Sequence, residues 1–160
     1  MRIDYLNSVD TTIMGSRNGQ AALFLWHSLR KKGMHGIKEE VLGCLQTAAY
    51  LRDQLTKHGV TCRLNDLSST VVLERPVSQE FVTQWQLACE NDIAHVVVMP
   101  NVTRKKADIF VEALCASIEE HGHYQPASAD SPLALLADVS WGGSVKSSIS
   151  IPADTSRAKS

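Results

Sequence analysis

No stretch of this sequence approaches the ~20 consecutive apolar residues that a membrane-spanning helix needs. The longest apolar runs are Ala21–Trp26 and Ala94–Met99. Excess positive charge is missing as well. A net charge of −1 leaves no electrostatic footprint for nucleic acid or for an anionic membrane, so neither is expected as a partner. The first residues, Met1–Tyr5, lack the apolar segment of a signal peptide, and a cytoplasmic location is the expectation. The four cysteines, Cys44, Cys62, Cys89 and Cys115, are scattered, with no Cys-x-x-Cys pair. That removes the zinc ribbon and the redox dithiol and leaves small, buried apolar side chains as their expected role. No Gly-x-Ser-x-Gly elbow, Walker loop or His-Glu-x-x-His helix occurs. No metal site is expected: His121 and His123 near Cys115 read as a solvated helix end followed by loose chain, since zinc wants four ordered ligands.

What is present is a soluble composition, 44% hydrophobic and 21% charged, in a chain of 160 residues, enough for one domain with a core. The chain turns on the stretch Asp10–Gly19, a polar, glycine-flanked turn that runs into the apolar Gln20–Trp26. A turn feeding a helix N-terminus is a natural anion site: Gly15 allows close backbone approach, Ser16 offers a hydroxyl and Arg17 a bidentate fork. The same letters also serve an ordinary capped turn with an exposed arginine.

From Gly19 to Lys32 the spacing predicts a helix apolar nearly all round, ended by Arg30, Lys31, Lys32 and Gly33. A helix of that kind in so small a chain must oligomerise or be covered by structure outside it. A turn at Gly33–Gly36 precedes a second helix, Ile37–His58, with Val41, Leu42, Leu45, Ala48, Ala49 and Leu55 on one face and Gly59 at its end. Then the period switches. Strands are expected at Val60–Leu64, Thr70–Leu73 and Ala94–Met99, with a Ser78-capped helix to Gln86 and a Thr103-capped helix burying Ala107, Phe110, Val111, Leu114 and Ile118. The fold class is therefore α+β: two N-terminal helices, then a small few-stranded sheet covered by helices. His95 reads as a satisfied, partly buried histidine, and Glu39–Glu40 and Glu119–Glu120 as solvated faces rather than acid/base pairs. Residues 121–160, rich in Ser, Ala, Pro and Gly, are expected to be a disordered tail, with a weak apolar patch at Leu133–Leu136.

Several blocks carry a resemblance: Thr12–Gly19 with Leu25–Trp26, Leu64–Val72, Glu74–Pro76, and most specifically Trp85–Cys89 followed by Ile93–Thr103. Together they resemble the group II pyridoxal-phosphate-dependent amino acid decarboxylases, in the plant serine decarboxylase and histidine decarboxylase branch, over roughly residues 3–118 and only in the C-terminal portion. The resemblance implies a fold-type-I enzyme and an obligate homodimer with sites at the subunit interface. It implies pyridoxal 5'-phosphate as cofactor and a small amino acid as substrate, serine giving ethanolamine or histidine giving histamine. It assigns 1–32 to the end of the large cofactor domain, 33–120 to the C-terminal small domain and 121–160 to the tail. Gly15, Ser16 and Arg17 become the cofactor-binding candidates, reaching toward a partner subunit's site.

The departures are equally plain. The family's Schiff-base lysine follows a histidine, and none of Lys31, Lys32, Lys38, Lys57, Lys105, Lys106, Lys146 or Lys159 does. Asp92–Ala94 has the letters of the family's Asp-x-Ala motif but sits in the wrong block, so that role is not transferred, and no catalytic residue is assigned. The expectation is a fragmentary or truncated relative, inactive alone. The alternatives are a non-catalytic module that docks on a full-length homologue and a free-standing small-ligand-binding α+β domain at 60–119.

Overall fold

The computed structural model describes residues 2–3, 8–9, 18–126 and 129–137. A short antiparallel pair, β1 (Arg2–Ile3) and β2 (Ser8–Val9), precedes α1 (Gln20–Lys57). Then follow β3 (Cys62–Leu64), β4 (Thr70–Glu74), α2 (Gln79–Gln84), β5 (Ala88–Glu90), β6 (Ile93–Val97), α3 (Arg104–His121) and α4 (Pro132–Ala137). The main sheet is antiparallel in the order β3-β4-β6-β5. Its register puts Cys62, Leu73, Ala94 and Cys89 in one row across one face, and Arg63, Val72, His95 and Ala88 across the other.

The first of those faces is the core. Val71, Leu73 and Ala94 are fully buried against Ala48, Leu51 and Leu55 of α1 and Ala107, Phe110, Val111 and Leu114 of α3. The expected inward face of α3 is the observed one, with Ile118 packed at its margin. Phe81, Trp85 and Phe110 form an aromatic cluster, Trp85 meeting Phe110 edge-on at 5.1 Å between ring centroids. Outside it, Tyr50 donates to Asp108 at 2.6 Å and Arg104 lies over the Tyr50 ring, tying α1 to α3.

The ends of the helices follow from their capping residues. Ser78 Oγ accepts from the Phe81 N–H at 3.2 Å, and Thr103 Oγ1 from the Lys106 N–H at 3.3 Å. At the end of α1, Gly59 takes φ 75° and the Val60 N–H returns to the Leu55 carbonyl, a glycine-dependent stop.

Four expectations are corrected. The break between the first two helices is one residue, Gly33 at φ 62°, and helix resumes at once where a four-residue turn was expected. Val41, expected on the inner face, is 51% exposed, while Leu51 carries that face instead. The reason is length: 38 helical residues run on the order of 55 Å, against about 17 Å for a five-residue strand. The sheet covers only the C-terminal part of α1. The strand β5 was not expected; it pairs through the tight turn Asn91–Asp92, with Asn91 at φ 53°. And Leu133, in the stretch whose composition suggested a tail, is 4% exposed within α4, which lies against β3.

Leu51→Ala is expected to cost about 2–5 kcal/mol by denaturant melting, because it opens a cavity in the core. Leu25→Ala, on the uncovered part of α1, is expected to stay within about 0.5 kcal/mol in the isolated chain. Equal costs would mean that the whole helix is part of one folded body.

Candidate functional site

The residues singled out for anion binding, Gly15, Ser16 and Arg17, lie outside the described residues. The helix they lead into begins at Gly19, which makes no side-chain cap. Asn18 does that work: its Oδ1 accepts from the Gln20 N–H at 3.0 Å, and its carbonyl from the Ala21 N–H at 3.2 Å. Two of the leading N–H groups are thus already paired, which narrows what a bound anion would find there.

The helix that follows is bare. Leu23, Phe24, Leu25 and Trp26 are 60%, 63%, 62% and 58% exposed, with Arg30 stacked over Trp26 at 5.8 Å. Lys32 Nζ reaches across the Gly33 kink to Glu40 at 2.7 Å, which fixes the angle of the two segments weakly, since both side chains are exposed. A side-by-side apolar surface of this kind marks a contact site.

The strongest polar construction lies at the other end, where sequence reasoning saw a solvated helix terminus. Glu74 points to the sheet face opposite the core and is nevertheless 4% exposed. The chain beyond α3 covers it: His123 Nδ1 is 2.5 Å from Glu74 Oε1, while Oε2 accepts from the Thr61 N–H at 3.1 Å. Buried Asp92, next to it in the β5–β6 turn, accepts from the Leu133 N–H at 3.3 Å through Oδ1, and its Oδ2 has no partner. Two buried carboxylates therefore hold His123 and Leu133 to the sheet. His123, read from sequence as loose, is one half of this clasp. The signal available was Glu74, an acid at the end of the apolar strand pattern Thr70–Leu73.

The remaining chemistry is modest. His95 is partly buried and satisfied, its Nδ1 3.3 Å from the Ala88 carbonyl, as expected. The cysteines are half-buried rather than fully buried. Burial pushes the Cys62, Cys89 and Cys115 thiols above their ordinary range, and the hydrogen bond to Asp108 does the same for the Tyr50 phenol. Among the described residues no three His, Cys, Asp or Glu side chains group to hold a metal ion, and no helix is long and apolar enough to cross a membrane. Lys31, Lys32, Lys38, Lys57, Lys105 and Lys106 are all solvent-exposed, which is not the setting of a lysine that holds a carbonyl cofactor. The described residues therefore do not fit the covalent attachment of pyridoxal phosphate.

The fold has close counterparts. L-methionine decarboxylase from Streptomyces sp. 590, in its internal aldimine form, superposes with a TM-score of 0.59 at 30% identity, over 72% of this chain and 25% of that one. The architecture is that of the C-terminal part of a fold-type-I decarboxylase. Serine decarboxylase 1 of Oryza sativa subsp. japonica is 54% identical over 127 residues, covering 78% of this chain and 26% of that protein. The histidine decarboxylase of Solanum lycopersicum is 42% identical over 137 residues, covering 86% and 32%. The chain is similar to the C-terminal part of the serine and histidine decarboxylases. It spans about a quarter to a third of the length of these relatives. No protein-family model matches it.

Removing the clasp has a measurable consequence. Glu74→Ala strips the partner from the Thr61 N–H and from His123, and is expected to cost about 1–3 kcal/mol. Hydrogen exchange at residues 129–137 should accelerate in the same variant. Unchanged protection there would show that α4 is held by Leu133 alone. The raised thiols should react slowly: Cys62 and Cys89 are expected to alkylate with iodoacetamide at pH 8 more slowly than free cysteine, the two converging on unfolding.

Proposed function

We propose that the chain is the C-terminal portion of a pyridoxal-phosphate-dependent amino acid decarboxylase of the serine or histidine type, and that it does not decarboxylate by itself. The observation that carries the reading is the 54% identity to serine decarboxylase 1 over most of the chain. In this reading residues 1–32 end the large cofactor domain and 33–120 form the small domain, a division that the Gly33 kink supports. The turn at Gly15, Ser16 and Arg17 contributes backbone N–H, hydroxyl and guanidinium groups toward the phosphate of a cofactor held elsewhere. When bound, that cofactor would serve as the electron sink for loss of carbon dioxide. The chain's own part is structural and electrostatic: it presents an anion-binding turn and braces the apolar helix behind it. No catalytic step is assigned to its residues. A cytosolic, homodimeric enzyme acting on a small amino acid is the setting that goes with this reading.

A second reading rests on a different observation, the exposed apolar stretch Leu23, Phe24, Leu25 and Trp26, which runs round the helix. Here the chain is a non-catalytic module that covers this stretch by docking on a full-length homologue.

Mixing the chain with pyridoxal phosphate and reducing with borohydride tests the first reading. The expected outcome is no stoichiometric adduct at any one lysine, only slow and unselective labelling of exposed ones. One lysine labelled to completion, with a visible aldimine band beforehand, would overturn it. Size-exclusion with a full-length serine decarboxylase tests the second: co-elution is expected, and is expected to be lost in Trp26→Asp. A compact monomer that ignores the homologue would remove the docking reading.

A further inference from the structure

A cavity lies between the start of β5, β6 and α3. Its volume is about 310 Å³, at the lower end of the range for small-molecule sites. Leu51, Phe110, Val96 and Val102 give it apolar walls, and Trp85, Gln86 and Lys106 bring hydrogen-bonding side chains to its lining. No aspartate or glutamate lines it.

Two features give the cavity a chemical preference. Trp85 Nε1 is buried and has no hydrogen-bond partner, and an indole nitrogen can only donate. Its deficit can be met only by an acceptor, and the structure places none within hydrogen-bonding geometry of it. Lys106 adds a fixed positive charge from the first turn of α3, exposed and without an ion-pair partner among the described residues. A donor-only group and a cation beside an apolar hollow complement one kind of molecule: an anionic head on an apolar body.

We propose that this cavity is a binding site for a small carboxylate with an apolar or aromatic body. The carboxylate meets Lys106 and the Trp85 N–H, and the body lies against Phe110, Val96 and Val102. The proposal does not rest on the decarboxylase reading, because none of these residues takes part in it.

The test uses the full chain, labelled with ¹⁵N, and two probes of the same shape: 4-phenylbutyrate and its uncharged amide. The Trp85 indole N–H signal, assigned from Trp85→Phe, is followed during each titration. A saturable shift with the acid is expected, with affinity lower by about tenfold for the amide and for Lys106→Glu, the worth of one charge-assisted contact. Lys106 is exposed, so its replacement leaves the fold intact. Trp85→Phe keeps the aromatic body and loses the donor, and should also weaken the acid, read from the Lys106 amide. No shift with the acid at millimolar concentration overturns the proposal. So does equal binding of acid and amide, or full affinity in Lys106→Glu.

Discussion

The mismatch in length between α1 and the sheet governs this structure. The C-terminal part of the helix buries Ala48, Leu51 and Leu55 against Val71 and Leu73, and there the chain has a core. The N-terminal part overruns it, and its apolar side chains stand in solvent. Burial of apolar area is what makes a helix stable in a tertiary setting, so the two parts differ in kind. One belongs to a folded body. The other is a surface waiting for cover, and Gly33, in a backbone conformation few other residues tolerate, is the joint between them.

The polar construction at the opposite end obeys a separate constraint. Buried carboxylates must be paired or hydrogen-bonded. Glu74 and Asp92 meet this condition by drawing in His123 and the start of α4, so the chain beyond α3 is held by groups inside the sheet. The sheet consequently has helices over one face and a clasped segment over part of the other. What stays open is the β5–β6 edge, where the chain leaves Trp85 without an acceptor.

Much of this was legible in the residues. Ser78, Thr103 and Gly59 announce helix ends through their own side chains or lack of one, and each does so in the structure. Ala107, Phe110, Val111 and Leu114 repeat at helical spacing and are buried together. The blocks at Trp85–Cys89 and Ile93–Thr103 carried the family. The missed parts share a cause. The strand β5 is three residues long, too short to show a period, and exists because β6 offers it an edge. His123 and Leu133 lie in a stretch whose composition says tail, and they are ordered by partners 49 and 41 residues away. The turn at Gly15, Ser16 and Arg17, read as an anion site from its residues and as a cofactor site through the resemblance, is not among the described residues.

The sequence by itself determined the local rules: where helices start and stop, which faces are apolar, which chemistries are missing, and which family the chain is kin to. Those follow from side-chain chemistry within a few residues, which is written in order along the chain. Only the tertiary structure decided how far the sheet reaches along α1, which acids are buried, and which donor is left unpaired. Each of these depends on contacts between residues far apart in sequence, and on the length of one element measured against another.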